Sequence, residues 1–130
     1  MQRHIVRPDG LAPTNGYSHV ATASGRLVAV SGQVAWDADG RVVGDDIESQ
    51  ARQVFRNLQT ALAAAGAGMG DVIKLTVFLT DIGDVATVRR VRNEFVDPAA
   101  PPASTLVAVT ALVDPALKIE IEALAVVPEG

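Results

Sequence analysis

An α+β fold is predicted for this chain: one mixed β-sheet with two helices on one face, in the order β-β-β-α-β-α-β-β. Three features predict it. Apolar residues recur at three- and four-residue intervals from Asp46 to Ala65, the stripe of a helix that faces a core. From Ile73 to Thr80 the pattern switches to strict alternation, the period of a strand. The last third is rich in Val, Ile and Thr, and strands outnumber helices without regular βαβ alternation.

The elements follow in chain order. His19–Ala23 and Arg26–Ser31 are short runs separated by Ser24-Gly25, a two-residue turn signal, so a hairpin is expected. Asp37-Ala38-Asp39-Gly40 marks a tight turn, because Asp bonds its own backbone in turns and Gly accepts positive φ. The first helix turns Ile47, Ala51, Val54, Phe55, Leu58, Ala61, Leu62 and Ala65 inward. Asp45 followed by Glu48 reads as its capping box, and Gly66 as its stop. Asp81 or Asp84 caps a second helix, with Val85, Val88, Val91 and Phe95 inward and Arg89, Arg90 and Glu94 outward. Ser104–Leu112 and Lys118–Val127 are strands joined by the turn Val113-Asp114-Pro115. The first of these is apolar on both sides, as in a sheet covered on both faces. Two helices cover only one face, so a homo-oligomer is predicted, formed through the other.

Composition bounds the function. With 130 residues, 48% apolar and 20% charged, residues 1–130 form a single domain of ordinary globular make-up. Eleven Lys and Arg against fifteen Asp and Glu leave a net charge of −4, a poor basis for binding nucleic acid. Arg89, Arg90 and Arg92 form only a short basic cluster, explained by a solvated helix face, and one Trp, one Tyr and three Phe offer no stacking platform for bases. The absence of cysteine removes disulfides, a thiolate nucleophile and Cys-based zinc sites, and two histidines make a weak metal site. No apolar run approaches a membrane span, and Met1–Pro8 lacks an apolar core of signal-peptide length, so a soluble cytoplasmic protein is expected.

Few motifs carry chemistry. Gly66-Ala67-Gly68-Met69-Gly70 follows a helix and lacks the Lys-Ser/Thr of a phosphate loop, so it reads as a helix stop and connector. Ser31-Gly32-Gln33 lacks the glycine pattern of a nucleophile elbow, and His19 reads as a hydrogen-bonded strand residue. Glu120 and Glu122 lie two apart on a strand and point to the same side, an arrangement that either faces solvent or serves proton transfer.

Taken together, Gly16-Tyr17-Ser18-His19, Ser31-Gly32-Gln33, Asn57-Leu58, Asp71 to Leu79, Pro102-Ala103-Ser104-Thr105 and Ile119 to Ala123 resemble the RidA (YjgF) family over nearly the whole chain. The resemblance implies a chorismate-mutase-like α+β fold and a homotrimer with a cleft between each pair of subunits. It also implies hydrolysis of reactive imines or enamines to carbonyl compounds and ammonia, without a cofactor or metal. The implied catalytic residues are Glu120, which positions water or shuttles a proton, and Tyr17, lining the cleft from a neighbouring subunit; Gly32, Arg89, Ser104 and Thr105 are the implied substrate contacts. In the family's deaminases the block reads Pro-Ala-Arg-Ser, and its Arg grips the substrate carboxylate. Ser104 stands there instead, with one neutral hydrogen bond to offer and no charge. Arg89, where these deaminases often carry Asn, is a candidate displaced cation. The expected substrate is therefore a small imine or enamine other than a standard 2-imino acid. A non-catalytic trimeric binding protein is the alternative, and an endoribonuclease a more distant one.

Overall fold

Helix α1 (Ile47–Ala64) organises the core, and it starts one residue later than its sequence suggests. The computed structural model, which describes residues 2–129, caps this helix with Asp46 and not Asp45. Gly44, at φ +84°, turns the chain so that Asp46 is extended at the helix mouth, and its Oδ1 accepts the Ser49 N–H at 2.7 Å. Glu48 is left free of capping and pairs with arginines instead. At the far end Gly66, at φ +73°, lets the Gly66 and Ala67 amides return to the carbonyls of Ala63 and Leu62.

Strands β3 (Arg26–Gln33), β4 (Val72–Leu79), β5 (Ala103–Ala108) and β6 (Ile119–Val127) form the mixed sheet, in spatial order β3-β6-β4-β5. Only β4 and β5 run parallel; β6 is antiparallel to both of its neighbours. The expected hairpin between Val20–Ala23 and Arg26–Ser31 does not form. Strand β2 (Val20–Ala23) pairs instead with β1 (Gln2–Ile5) in a separate two-stranded ribbon, while β3 pairs with β6. Gly25 explains the change: at φ +146° it lies so close to the end of β6 that a Cβ there would stand 2.2 Å from the Val127 carbonyl oxygen. The turn thus delivers β3 to β6. Strand β5 is also shorter than the predicted Ser104–Leu112 and lies at the sheet edge, where Val107 is 40% exposed.

Alternation along the strands divides the sheet. Val28, Val30, Leu75, Val77, Leu79, Ile119, Ile121, Ala123 and Ala125 join Ala51, Val54, Phe55, Leu58 and Leu62 of α1 in the core. Helix α2 (Val85–Arg92) contributes Val88 and Val91. The opposite face presents Lys74, Thr76, Glu120, Glu122, Thr105, Val107 and Leu124, and among the described residues no helix covers it.

Two polar devices tie the layers together. Gln50 is fully buried, yet its amide donates to the Gly44 and Ala116 carbonyls and accepts the Lys118 N–H, at 3.1, 2.8 and 2.8 Å, so the start of α1 holds the entry to β6. Arg52 bridges the helices with bonds of 3.0 and 2.6 Å to Glu94 and one of 3.3 Å to Glu48, which also pairs with Arg90. Beneath them Phe55 and Phe95 stack, centroids 5.0 Å apart.

Candidate functional site

The helix-side edge of the sheet holds a cavity of about 310 Å³ between α2, β4 and β5. That is the lower end of the size range of small-molecule sites. Its floor is apolar: Leu75 and Val77 of β4, Leu106 of β5 and Phe55 of α1. Its wall is the stripe Val85, Val88, Arg89 and Arg92 of α2, whose spacing of three, four and seven residues places them on one side of the helix. Arg89 therefore faces the cavity, correcting its expected place on the outer face beside Arg90 and Glu94. Arg90 does point outward, 61% exposed and paired with Glu48.

The third wall comes from the loop before β2. Ser18 is buried; its amide donates to the Pro102 carbonyl at 3.0 Å and its hydroxyl to the Pro101 carbonyl at 2.7 Å. His4 Nδ1 reaches the same Pro101 oxygen at 2.8 Å. This clamp lays Tyr17 beside the start of β5, so Tyr17 lines the same cavity as Ser104 within one chain. The resemblance implies that Tyr17 reaches a cleft from a neighbouring subunit; within one chain the Ser18 clamp holds it in the cavity that Ser104 lines. His19 meets the Tyr17 ring edge-on at 5.9 Å and donates from Nε2 to the Ala12 carbonyl at 2.8 Å, hydrogen-bonded as its sequence suggests, although it lies just before β2 and not within a strand.

Tyr17, Arg89 and Ser104 are thus brought together. The other three candidates are not in this cavity. Glu120 alternates with the buried Ile119 and Ile121 and emerges on the open face, where its Oε2 packs against Gly32, 2.2 Å from where a Cβ would lie. Thr105 follows Ser104 and points the other way, its hydroxyl accepting the Lys74 Nζ–H at 2.6 Å. Glu122, directly across from Thr76, shares a shallow hollow with Ser31 and Lys74 on the same face. The candidate site residues of the single chain therefore fall into two halves on opposite faces of the sheet.

One charged residue of the cavity escaped the sequence reading. Arg92, only 9% exposed, sits against Gly16, whose φ of +75° and missing side chain make room for the guanidinium. Its Nε–H and one Nη2–H donate to the Asn93 side-chain oxygen at 3.2 and 3.1 Å, and an Nη1–H donates to the Asn15 carbonyl at 3.2 Å. Burial first, and the Arg89 charge second, hold its pKa below the ordinary arginine value. The stripe of three, four and seven residues from Val85 was the signal that could have found it.

Among the described residues no cluster of three or more His, Cys, Asp or Glu side chains could hold a metal ion, and no helix is long and apolar enough to cross a membrane. Residues 8–127 match the family described as Endoribonuclease L-PSP. The chain is 40% identical over 129 residues to Protein DfrA of Myxococcus xanthus, covering 97% of each chain. It is 40% identical over 104 residues to the 2-iminobutanoate/2-iminopropanoate deaminase of Salmonella typhimurium, covering 78% of this chain and 80% of that one. Among solved structures it superposes on the Rid-family protein YyfB of Yersinia pestis with a TM-score of 0.88 at 36% identity, over 97% and 98% of the two chains. With residues 8–127 matched by the family and its α+β architecture shared with solved relatives, the chain belongs to the YjgF/RidA family.

Proposed function

We propose that this chain, acting as a single domain within a homotrimer, hydrolyses a small reactive imine or enamine to a carbonyl compound and ammonia. The observation that carries the reading is the cavity itself, which gathers Tyr17, Arg89 and Ser104 from three separate segments around an apolar floor. The deaminase name of the Salmonella typhimurium relative supports it. The open sheet face, with Leu27 64% and Leu124 39% exposed, supports self-association. A neighbour packed there would bring its own Glu120 and Gly32 toward the cavity mouth and complete the cleft.

The chemistry asks little of the protein. An iminium carbon is already electrophilic, so catalysis is placement of one water and movement of protons. Glu120 takes a proton from the attacking water as the C–O bond forms and passes it to nitrogen; the carbinolamine hydroxyl then gives up its proton to Glu120 as the C=O bond forms and the C–N bond breaks. Water supplies the oxygen, ammonia leaves, and no electrons change hands. Tyr17 and Ser104 orient the substrate by hydrogen bonds, Arg89 supplies positive charge, and Gly32 and Thr105 present backbone groups to the ligand. Ser104 offers no fork for a carboxylate, so the substrate differs from standard 2-imino acids. With a net charge of −4 and no basic, aromatic stripe, RNA cleavage is not expected despite the family's description.

The test is ammonia release from imines generated in situ by an amino-acid oxidase, with and without carboxylates, alongside the mass in solution. Wild-type turnover that falls in Glu120→Gln supports the reading. Saturable binding of carbonyl compounds with no turnover on any imine overturns it in favour of a binding protein. Gain of 2-imino acid hydrolysis in Ser104→Arg would show that only the family's anchor had been missing.

A further inference from the structure

The three arginines of α2 do not share one role. Arg90 is paired with Glu48 at the surface, whereas Arg89 and Arg92 face the cavity, whose lining includes no Asp or Glu. Among the described residues Arg89 makes no side-chain hydrogen bond or ion pair, unlike Arg52 and Arg90 on the neighbouring surface. Arg92 spends three of its N–H donors on neutral oxygens of Asn15 and Asn93; a guanidinium has five, so two remain and its charge meets no carboxylate. Burying a cation without a counter-charge is costly, and here the buried Arg92 has the half-buried Arg89 one helical turn away against the same apolar floor. This is a local excess of positive charge in a chain whose net charge is −4.

We infer that the cavity takes a small dicarboxylate, with Arg92 holding one carboxylate at the inner wall and Arg89 the second nearer the mouth. The inference deepens the hydrolase reading and rests on it for the reaction: the substrate becomes the imine of a dicarboxylic acid, set apart from the standard one-charge 2-imino acids by its second carboxylate. Addition of water to its C=N bond and loss of ammonia leave the corresponding keto dicarboxylate. A single carboxylate such as a neighbour's Glu120 cannot balance both arginines. Ser104, in place of the family's arginine, fits this division, because the charge has moved from β5 to α2. Arg89 is then a specificity-determining residue, separating two-charge from one-charge ligands.

The experiment is calorimetric titration of the intact wild-type oligomer at low ionic strength with 2-oxoglutarate, with the chain-length-matched monocarboxylate 2-oxopentanoate, and with inorganic phosphate. The expected result is tighter binding of 2-oxoglutarate than of 2-oxopentanoate by about tenfold or more, the effect of one added charge-assisted contact. Arg89→Gln collapses that ratio toward one, and Arg92→Lys, which keeps the charge but loses the fork, weakens both keto acids. Both variants are checked for wild-type mass and melting temperature. Equal affinity of the two keto acids for wild type, a preference that survives in Arg89→Gln, or phosphate binding as well as 2-oxoglutarate overturns the inference. These results stand apart from the hydrolase reading. Turnover of one-charge imines without a dicarboxylate preference sinks the inference alone, whereas dicarboxylate binding without hydrolysis of any imine sinks the reaction and leaves the ligand assigned.

Discussion

Replacing Gly32 by alanine places a methyl carbon 2.2 Å from Glu120 Oε2, 2.8 Å from its Cδ and 3.0 Å from its Cγ. Ordinary contact between heavy atoms begins near about 3.5 Å, so the carboxylate must retreat by roughly 1 Å. Gly32 is outside the positive-φ glycines, so alanine carries no backbone strain there. The colliding atoms belong to the end of a flexible side chain, and one off-rotamer torsion costs about 1 kcal/mol. Removing glycine's freedom from the unfolded chain returns about 0.4–1 kcal/mol. Stability therefore changes by about 1 kcal/mol or less. Activity is another matter, because a displacement of roughly 1 Å in a proton-transferring group lowers turnover by about 10²-fold. The assay pairs urea denaturation with kcat/KM on an in situ imine, for Gly32→Ala and Glu120→Gln together. Near-native stability with both variants strongly impaired is expected. Full activity in Gly32→Ala beside an inert Glu120→Gln would refute the argument, as would destabilisation of several kcal/mol in Gly32→Ala.

Gln50→Leu keeps the bulk of a buried side chain but orphans the Lys118 N–H and the Gly44 and Ala116 carbonyls, so a loss of about 3 kcal/mol or more is expected in chemical denaturation. A loss below about 0.5 kcal/mol would show that these backbone groups find other partners. Hydrogen bonds from Arg90 and Arg52 hold the Glu48 carboxyl below its usual 4.5, and a bond from Arg52 does the same for Glu94. Folded pKa values below unfolded ones mean a stabilisation that is whole above about pH 4.5 and lost as pH falls through the folded values. Glu48→Gln should lower the melting temperature near neutral pH while leaving the acid end unchanged, so that the acid limb of a plot of melting temperature against pH flattens. An unchanged acid limb would mean that the helix–helix ion pairs do not report on folding.

Helix α1 was legible because its pattern is dictated by its own burial: eighteen residues at one period leave little choice. Its cap was misplaced by one residue because Asp45 and Asp46 are chemically equivalent, and the tie is broken by the Gly44 turn, which fixes which Asp is extended. The Ser24-Gly25 turn looked like a hairpin because turn chemistry is local, whereas the partner that captures β3 lies about a hundred residues on, in β6. The same blindness hid the cavity. Tyr17 meets Ser104 only because Ser18 bonds to Pro101, 83 residues away, and no periodicity encodes that clamp. Arg92 was lost differently, since an arginine on a short amphipathic helix has an obvious home in solvent. Only the glycine at position 16 and the loop behind it turn this one inward.

Strand geometry sets the last expectation. Ser104 and Thr105 are neighbours in β5 and must point to opposite faces, and Glu120 lies on the face away from Tyr17, Arg89 and Ser104. If hydrolysis needs both half-sites, each cleft must take one half from each of two chains, and defects in different halves should complement. In randomly mixed trimers made from equal amounts of Arg89→Gln and Glu120→Gln chains, a cleft is intact when its arginine half comes from the second variant and its glutamate half from the first. Each condition holds half the time, so about a quarter of clefts recover. Refolding the two together should restore about a quarter of wild-type activity, whereas mixing them already folded should restore none until subunits exchange. If co-refolding yields no more than the average of the two variants alone, both halves act within one chain, and the proposed path from Glu120 to the cavity is wrong.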